Sequence, residues 1–353
     1  MKKLITLLLV LVTIFNMAAF NVFAQDDIKV IVDGKEVVFD AAPYIENGRT
    51  MVPVRAIFEA LGASVDWLPE TRTVLAKKDA YVLTLAIGED RMQKNSAYFA
   101  LDAPASIKDD RTYVPVRAIG EAFDCSVHWD NSTRTVMVES YKSPVKFTYV
   151  KESVTTETDR EDVTVTVNYT YPQITSGNEF LSDREIKRLN EIAQEFTYDI
   201  FDYKDYAFNF VFDWFNVMEY FEGYPDVTID IITTLHTSEK YDTVSFSATY
   251  NFPYFGMFSA SKTVDKYTCK DFPVIGHALD IESSVEEKGV YDDIFNEFTR
   301  NFEEVRFGRD LFDEYPQDIS YYISGDRITV MLSRKYLTGV GRVDGILAVT
   351  KQF

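Results

Sequence analysis

A duplicated phrase in the N-terminal third is the feature that most constrains the fold of this chain. Arg49–Ala60 and Arg111–Ala122 share the pattern Arg-Thr-x-Val-Pro-Val-Arg-Ala-Ile and start 62 residues apart. The longer segments Ile45–Ala76 and Ile107–Val138 are identical at 18 of 32 aligned positions. A repeat of this length predicts two copies of one supersecondary unit.

Each copy is predicted to be a short helix packed on a small antiparallel sheet. An alternating stretch before the first phrase turns at Asp33-Gly34, a strong hairpin signal. The Val-Pro-Val of the phrase predicts the start of a helix, and Gly62 is typical of the position just after a helix end. Ser64–Trp67 and Thr73–Ala76 are predicted strands, and the second copy repeats the pattern.

Four residues occupy matching positions in the two copies and are candidates for a function. Arg55 and Arg117 each precede a Glu by four residues, the spacing of an ion pair within a helix. We interpret both as structural, the alternative being that they bind an anionic group. We interpret Trp67 and Trp129 as core residues between helix and sheet, the alternative being platforms for sugar stacking.

The order of short motifs in this region resembles the copper amine oxidase N-terminal-like domain. The motifs are Asp-Gly-Lys, then Glu-Asn-Gly-Arg-Thr-Met-Val-Pro-Val-Arg, then Glu-Ala-Leu-Gly-Ala and Val-Asp-Trp. The resemblance covers residues 27–141, with repeats at 28–80 and 90–140. It implies a stalk module of secreted Gram-positive proteins that holds no copper and performs no chemistry. His128 is the region's one histidine and lies in no ligand-type cluster, so we expect neither metal nor other cofactor.

The first 24 residues have the organisation of a secretory signal peptide. Lys2 and Lys3 precede an apolar run, and a small-x-small pattern ends at Ala24, the predicted cleavage site. We therefore expect a secreted or cell wall-associated protein with no membrane span in the mature chain. Losing the two lysines would change the net charge from −20 to −22. So acidic a chain is a poor ligand for nucleic acid, and it suits either a cationic partner or simply solubility.

The rest of the chain is predicted to be a second domain of different character. Residues 142–162 are polar and are predicted to be a linker, and residues 163–353 are predicted to be an α+β binding domain. Its expected architecture is an antiparallel sheet with two main helices. A capping box at Ser182–Glu185 starts the first helix, and Val290–Val305 is the second. The fold class of the whole chain is therefore predicted to be α+β.

This second part is similar in order to a known extracytoplasmic module. The similarity rests on Tyr169-Thr-Tyr-Pro-Gln-Ile, on Tyr321-Tyr-Ile-Ser-Gly-Asp-Arg-Ile-Thr-Val and on Asp344-Gly-Ile-Leu-Ala-Val. These segments resemble the module of lysozyme-sensing anti-sigma factors and of some peptidoglycan deacetylases. The chain departs from that family at Pro253–Met257, where many members carry Gly-Gly-Ala-His. The resemblance implies a binding role in the cell envelope.

Catalytic signatures are missing from the sequence. His128, His236 and His277 are scattered, and neither a Gly-x-Ser-x-Gly elbow nor a Gly-rich phosphate loop occurs. Cys125 and Cys269 are expected to be buried thiols, although a single bridge between them would also satisfy the count. We therefore expect no enzyme, no catalytic residue and no metal ligand.

Aromatic residues mark the predicted binding surface. Tyr254, Phe255 and Phe258 follow Pro253 and are expected to form an exposed apolar loop tip, which usually marks a binding site. Phe196–Tyr224 is rich in aromatic residues interleaved with acids, and is either a thick core or a partly exposed stacking surface.

Three functions remain open on the sequence alone. The favoured one is a secreted, non-catalytic envelope protein, whose stalk carries a binding module for cell-wall glycan or for an envelope protein. The second is a binder or inhibitor of a cationic muramidase-like protein, suggested by the acidic charge. The third is a carbohydrate-active enzyme with an unrecognised pair of carboxylates, because a glycosidase needs only two in one cleft.

Overall fold

The computed structural model describes residues 28–95, 97–157, 164–200, 227–252, 256–272, 275, 284–302, 306–307, 319–332, 337–338 and 346–352. The predicted signal peptide with Ala24, and most of the aromatic-rich Phe196–Tyr224, lie outside these residues. Within the described ranges, no helix is both long and apolar enough to cross a membrane.

The described residues form a mixed α+β structure in which sheet dominates, in agreement with the predicted fold class. The helices are α1 (Val54–Ala60), α2 (Val116–Ala122), α3 (Asp183–Asp199) and α4 (Ser284–Asn301). The strands of the first part are β1 (Lys29–Val32), β2 (Lys35–Glu36), β3 (Tyr44–Glu46), β4 (Arg49–Pro53), β5 (Ser64–Leu68), β6 (Thr73–Lys78), β7 (Tyr81–Ala86), β8 (Arg91–Lys94), β9 (Ala97–Ala100), β10 (Ser106–Lys108), β11 (Arg111–Pro115), β12 (Cys125–Asp130) and β13 (Thr135–Ser140). Those of the second part are β14 (Lys146–Glu157), β15 (Thr164–Ser176), β16 (Val227–Ser238), β17 (Thr243–Phe252), β18 (Gly256–Asp265), β19 (Arg306–Phe307), β20 (Ser320–Ser324), β21 (Arg327–Leu332), β22 (Leu337–Thr338) and β23 (Ile346–Gln352).

The two repeats meet through the strands that carry the duplicated phrase. The first five residues of each phrase form β4 and β11, and the helices α1 and α2 follow directly. β4 and β11 pair antiparallel with Val52 opposite Val114, in a four-stranded sheet ordered β10-β11-β4-β3. The predicted hairpin at Asp33-Gly34 is confirmed, because both residues have the positive φ angles that such a turn requires.

Strand direction in two of the sheets differs from the prediction, which was for antiparallel sheets. β1 pairs parallel with β13 in the sheet β12-β13-β1-β2, and β15 pairs parallel with β16 in the sheet β14-β15-β16-β17-β18. The second parallel pair follows from the chain order, since α3 lies in the crossover between β15 and β16. The capping box that starts α3 at Ser182 and Glu185 is confirmed, and α4 begins six residues before the predicted Val290.

The largest sheet crosses the predicted boundary between the two parts of the chain. It has eight strands in the order β20-β21-β23-β9-β8-β7-β6-β5, and β23 runs parallel to β9. Its packing is shared as well, because Tyr322, Met331, Ile346 and Ala348 belong to the same buried cluster as the core of the repeats. The two parts are thus joined through a continuous sheet and a common core.

The predicted linker is largely a strand rather than a connector. Residues 146–157 form β14, which pairs with β15 along its whole length. Residues 151–155 of β14 are exposed. The polar composition that suggested a linker is explained by the position of β14 at the edge of its sheet, where no strand of the described ranges pairs with its outer side.

Gly120 allows α2 to lie very close to β12. A Cβ atom at this position would stand 2.2 Å from Cγ2 of Val127, which is closer than atoms can approach without displacement. The first copy has Phe58 at the matching position, so α1 cannot approach β5 in the same way. The two repeats therefore differ in the spacing between helix and strand.

We expect Gly120→Ala to lower the free energy of unfolding by about 1–3 kcal/mol, the usual cost of overpacking. Gly289 in α4 is the matched control, because a Cβ there would meet no atom within 4 Å. Gly289→Ala should be neutral, or stabilising by up to about 1 kcal/mol through helix propensity. Urea unfolding measures the free energy of unfolding of both variants. Equal stability of the two would show that α2 does not lie as close to β12 as described.

Candidate functional site

A groove of about 690 Å³ lies between α1 and β5 in the first repeat. Arg55 and Glu59 of α1 line one wall, and Val65, Asp66 and Trp67 of β5 line the other. We call this cleft the α1/β5 groove. Its lining includes both charged and aromatic side chains.

The open side of the α1/β5 groove is bordered by residues from three other segments. Val38 and Ile107 also line the groove, and their side chains are accessible to solvent, with exposed fractions of 89% and 42%. Arg111 donates from Nε to Oδ2 of Asp40 at 2.7 Å, and Asp110 precedes it at the turn between β10 and β11. The groove thus combines apolar contact area with charged groups, as binding clefts usually do.

Trp67 is an exposed wall of this groove and not the core residue that the repeat predicts. Its exposed fraction is 37%, and it lies on β5, the last strand of the eight-stranded sheet. Trp129, at the matching position, is half-buried and packs against the core of the repeats. The same residue in the same register therefore has two different environments.

The arginines of the repeat also diverge. Arg55 lies 3.8 Å from Glu59, as predicted, but its Nη1 also donates to the carbonyl oxygen of Val65 at 3.0 Å and so joins the helix to the strand. Arg117 lies 3.8 Å from Asp102; its predicted pair with Glu121 stays a prediction, because the side chain of Glu121 is outside the described part of the chain. Ion pairs this exposed contribute little to stability.

The α1/β5 groove has an excess of negative charge. Four carboxylates line it against two guanidinium groups, and both arginines already have an acidic neighbour in Asp40 or Glu59. Among the described residues, Asp66 and Asp110 have no cationic side chain within ion-pair distance. The groove is therefore suited to a ligand that carries positive charge.

A second constellation, which the sequence did not reveal, lies where the two parts of the chain meet. His236 Nε2 is 2.9 Å from Ser247 Oγ and 3.0 Å from Thr234 Oγ1. His236 Nδ1 is 3.8 Å from Asp124 Oδ2, and Lys94 Nζ is 3.4 Å from the same oxygen. Ser247, His236 and Asp124 are of the residue types that serve as nucleophile, base and orienting acid in acyl transfer.

The geometry does not support acyl transfer at this constellation. The 3.8 Å between His236 and Asp124 is longer than a hydrogen bond, and the imidazole stacks on Tyr322 with ring centroids 3.6 Å apart. The adjoining cavity measures about 20 Å³, which is room for one water molecule and not for a substrate. Burial lowers the pKa of His236 to about 3, helped by the nearby Lys94 charge, so the ring is neutral in the folded protein.

The signal that could have revealed this cluster is the run of hydroxyl residues around His236 and Ser247. Thr234, His236 and Ser247 lie on β16 and β17, and all three are buried. Asp124 lies more than a hundred residues earlier, and no pattern in the sequence connects it to them.

The predicted aromatic loop tip is not tested by the structure. Tyr254 and Phe255 lie outside the described residues, and for Phe258 the backbone in β18 is described but the side chain is not. Their binding role remains a prediction. The described residues contain no group of three or more histidine, cysteine, aspartate or glutamate side chains that could hold a metal ion. Cys125 is buried as predicted, whereas Cys269 is half-buried, and the two thiols are not bonded to each other.

Comparison with known proteins connects the repeats to one family. Residues 31–138 match the copper amine oxidase N-terminal domain. A protein named protease inhibitor, from Brevibacillus choshinensis, is 30% identical over 139 residues, which are 38% of this chain and 41% of the relative. The chain therefore covers less than half the length of that relative.

Two solved structures of the DUF3298 family are similar to a larger share of the chain. The one from Bacteroides fragilis has 13% identity and a TM-score of 0.31, and covers 60% of this chain and 92% of its own. The one from Pseudomonas aeruginosa has 8% identity and a TM-score of 0.32, and covers 59% and 90%.

Proposed function

We propose that this chain is a non-catalytic binding protein of the Gram-positive cell envelope, and that it holds a protein partner in the α1/β5 groove. The observation that carries the proposal is the exposed ring of Trp67 beside apolar and charged side chains in the α1/β5 groove. Exposed tryptophans beside apolar and charged groups are typical anchors of protein interfaces.

A protein partner is favoured over a glycan by two findings. The relative from Brevibacillus choshinensis is named a protease inhibitor, and its similarity covers 139 residues of this chain. The groove is also lined by more carboxylates than guanidinium groups, which matches a cationic protein surface and gives a neutral polysaccharide no charge to pair with. Cationic muramidase-like proteins and secreted proteases are both within this class.

The cellular setting of the proposal rests on sequence. The signal-type N terminus and the stalk-type repeats support a secreted or wall-associated protein. The similarity of residues 163–353 to the module of lysozyme-sensing anti-sigma factors supports an envelope role for the second part of the chain as well.

Equilibrium binding to the full chain tests this function. The probes are a cationic lysozyme, a secreted serine protease inactivated at its nucleophile, and insoluble peptidoglycan. We expect at least one of the two proteins to bind in 50 mM salt and to bind more weakly in about 0.5 M salt, which screens exposed charges.

The same assay defines the outcomes against the proposal. Retention on peptidoglycan with no binding of either protein would favour a glycan-binding module instead. Release of new reducing ends from the peptidoglycan would show a carbohydrate-active enzyme. If no probe binds at low salt, the proposed function is wrong.

A further inference from the structure

We infer that β5 is an acceptor edge, to which a basic, extended segment of the partner adds as an extra strand in the α1/β5 groove. This inference rests on the proposed function and specifies the chemistry of its ligand. Strand addition uses the main-chain groups of an unpaired edge for affinity and the flanking side chains for specificity.

The orientation of the β5 backbone supports strand addition. β5 pairs with β6, and no strand among the described residues pairs with its other side. The Val65 carbonyl accepts a hydrogen bond from Arg55 of α1. Val65 lies opposite Ala76, and the even-numbered residues of this stretch bond towards β7, as Arg72 does with Ile87, so the Val65 carbonyl faces away from β6 and into the groove. Backbone groups two residues apart in a strand point to the same side, so the N–H and C=O of Trp67 face the groove as well.

The second repeat shows what occupies the equivalent edge. β12 is also the end strand of its sheet, and the Cys125 carbonyl accepts a hydrogen bond from Nη1 of Arg327 on β21. A basic side chain carried by a strand thus contacts the first residue of the β12 edge, at the position that matches Ala63 just before β5. The first copy has Ala63 where the second has Cys125, and its β5 edge receives no strand from the described part of the chain.

The surroundings of β5 specify a basic and partly apolar segment. Asp66 and Asp110 contribute negative charge that no described cation neutralises, so lysine or arginine is favoured in the partner. Trp67, Val38 and Ile107 offer apolar contact to side chains that alternate with the basic ones. A polysaccharide could stack on Trp67, but it has no main-chain amides to match the edge of β5.

Selection from a displayed library of random octapeptides on the full chain tests the inference. We expect enrichment of peptides with basic residues at alternating positions. The best peptide is then synthesised in two N-methylated forms, one methylated on odd and one on even residues. Strand addition predicts that one form loses at least tenfold in affinity and the other loses little, because only one set of N–H groups faces β5.

Matched variants locate the peptide on the protein. Trp67→Ala should weaken binding of the selected peptide at least tenfold. Leu68→Ala is the control, since Leu68 is exposed by 38% on the same strand but does not line the groove. Circular dichroism and urea unfolding establish that both variants keep the fold.

The outcomes separate this inference from the proposed function. If a protein probe binds through Trp67 but no peptide is enriched, or both methylated forms bind equally, strand addition is wrong and the proposed function stands. If neither proteins nor peptides bind, both are wrong. Peptidoglycan retention that Trp67→Ala abolishes would assign the groove to a glycan.

Discussion

Replacing Asp124 with Ala is expected to lower the free energy of unfolding by about 3–5 kcal/mol. The Asp124 carboxylate lies 3.4 Å from Lys94 Nζ, and the Lys94 side chain is 5% exposed. Without Asp124, a buried ammonium group would lose its counter-ion and keep the ring of Tyr81, whose centroid is 4.3 Å away. A buried charge without a partner is among the most destabilising changes that one substitution can make.

Asp102→Ala is the matched control for this prediction. Asp102 also pairs with basic residues, lying 3.4 Å from Arg49 and 3.8 Å from Arg117, but both arginine side chains are largely exposed. Its replacement should cost about 1 kcal/mol or less. Urea unfolding at pH 7, followed by fluorescence and circular dichroism, gives both values. A loss below about 1 kcal/mol for Asp124→Ala would show that solvent reaches Lys94 and that the pair is not buried.

The two repeats have different residues at one matching position where the backbone φ angle is positive. Asp124 has a φ of 56°, and Gly62 has a φ of 85° at the matching position. Glycine adopts this conformation without strain, whereas aspartate does so at some cost. In the second repeat this aspartate places a carboxylate near Lys94 and His236. The first repeat has glycine at this position and therefore no carboxylate.

Local signals in the sequence predicted the local structure well. The turn at Asp33-Gly34, the helices that follow Pro53 and Pro115, and the capping box at Ser182 each depend on neighbours within a few residues. These features are confirmed because the chemistry that produces them lies within the motif itself.

The long-range features were not predictable from the same patterns. β9 and β23 are separated by most of the chain, yet they pair in parallel and join the two parts in one sheet. Trp67 and Trp129 are equivalent in sequence, yet Trp67 lines the α1/β5 groove whereas Trp129 packs against the core of the repeats. Exposure of a repeat residue depends on what packs against that copy, and the repeat motif does not contain this information.

Lowering the pH from 7 to 5 is expected to reduce the free energy of unfolding by about 2 kcal/mol through His236 alone. Burial lowers the pKa of His236 to about 3 in the folded protein, against 6.5 for an ordinary histidine. The unfolded chain therefore binds a proton more readily than the folded one. The stabilisation is complete above pH 6.5 and is lost progressively as the pH falls towards 3, at about 1.4 kcal/mol per pH unit.

The groups that face His236 determine whether the free energy of unfolding falls with pH at this rate. Lys94 opposes protonation of His236 and Asp124 favours it, but removal of the ring from water is the larger effect. Thr234 and Ser247 offer hydroxyl groups that can hydrogen-bond a neutral ring equally well.

Urea unfolding at half-unit steps between pH 7 and pH 5 measures the slope, above the range in which most carboxylates titrate. His236→Gln should remove most of it, whatever its effect on stability at pH 7. His128→Gln should leave it intact, because His128 is exposed on β12. An unchanged slope in His236→Gln would mean that the ring accepts a proton in the folded protein, and that Asp124 outweighs burial at the junction of the two parts.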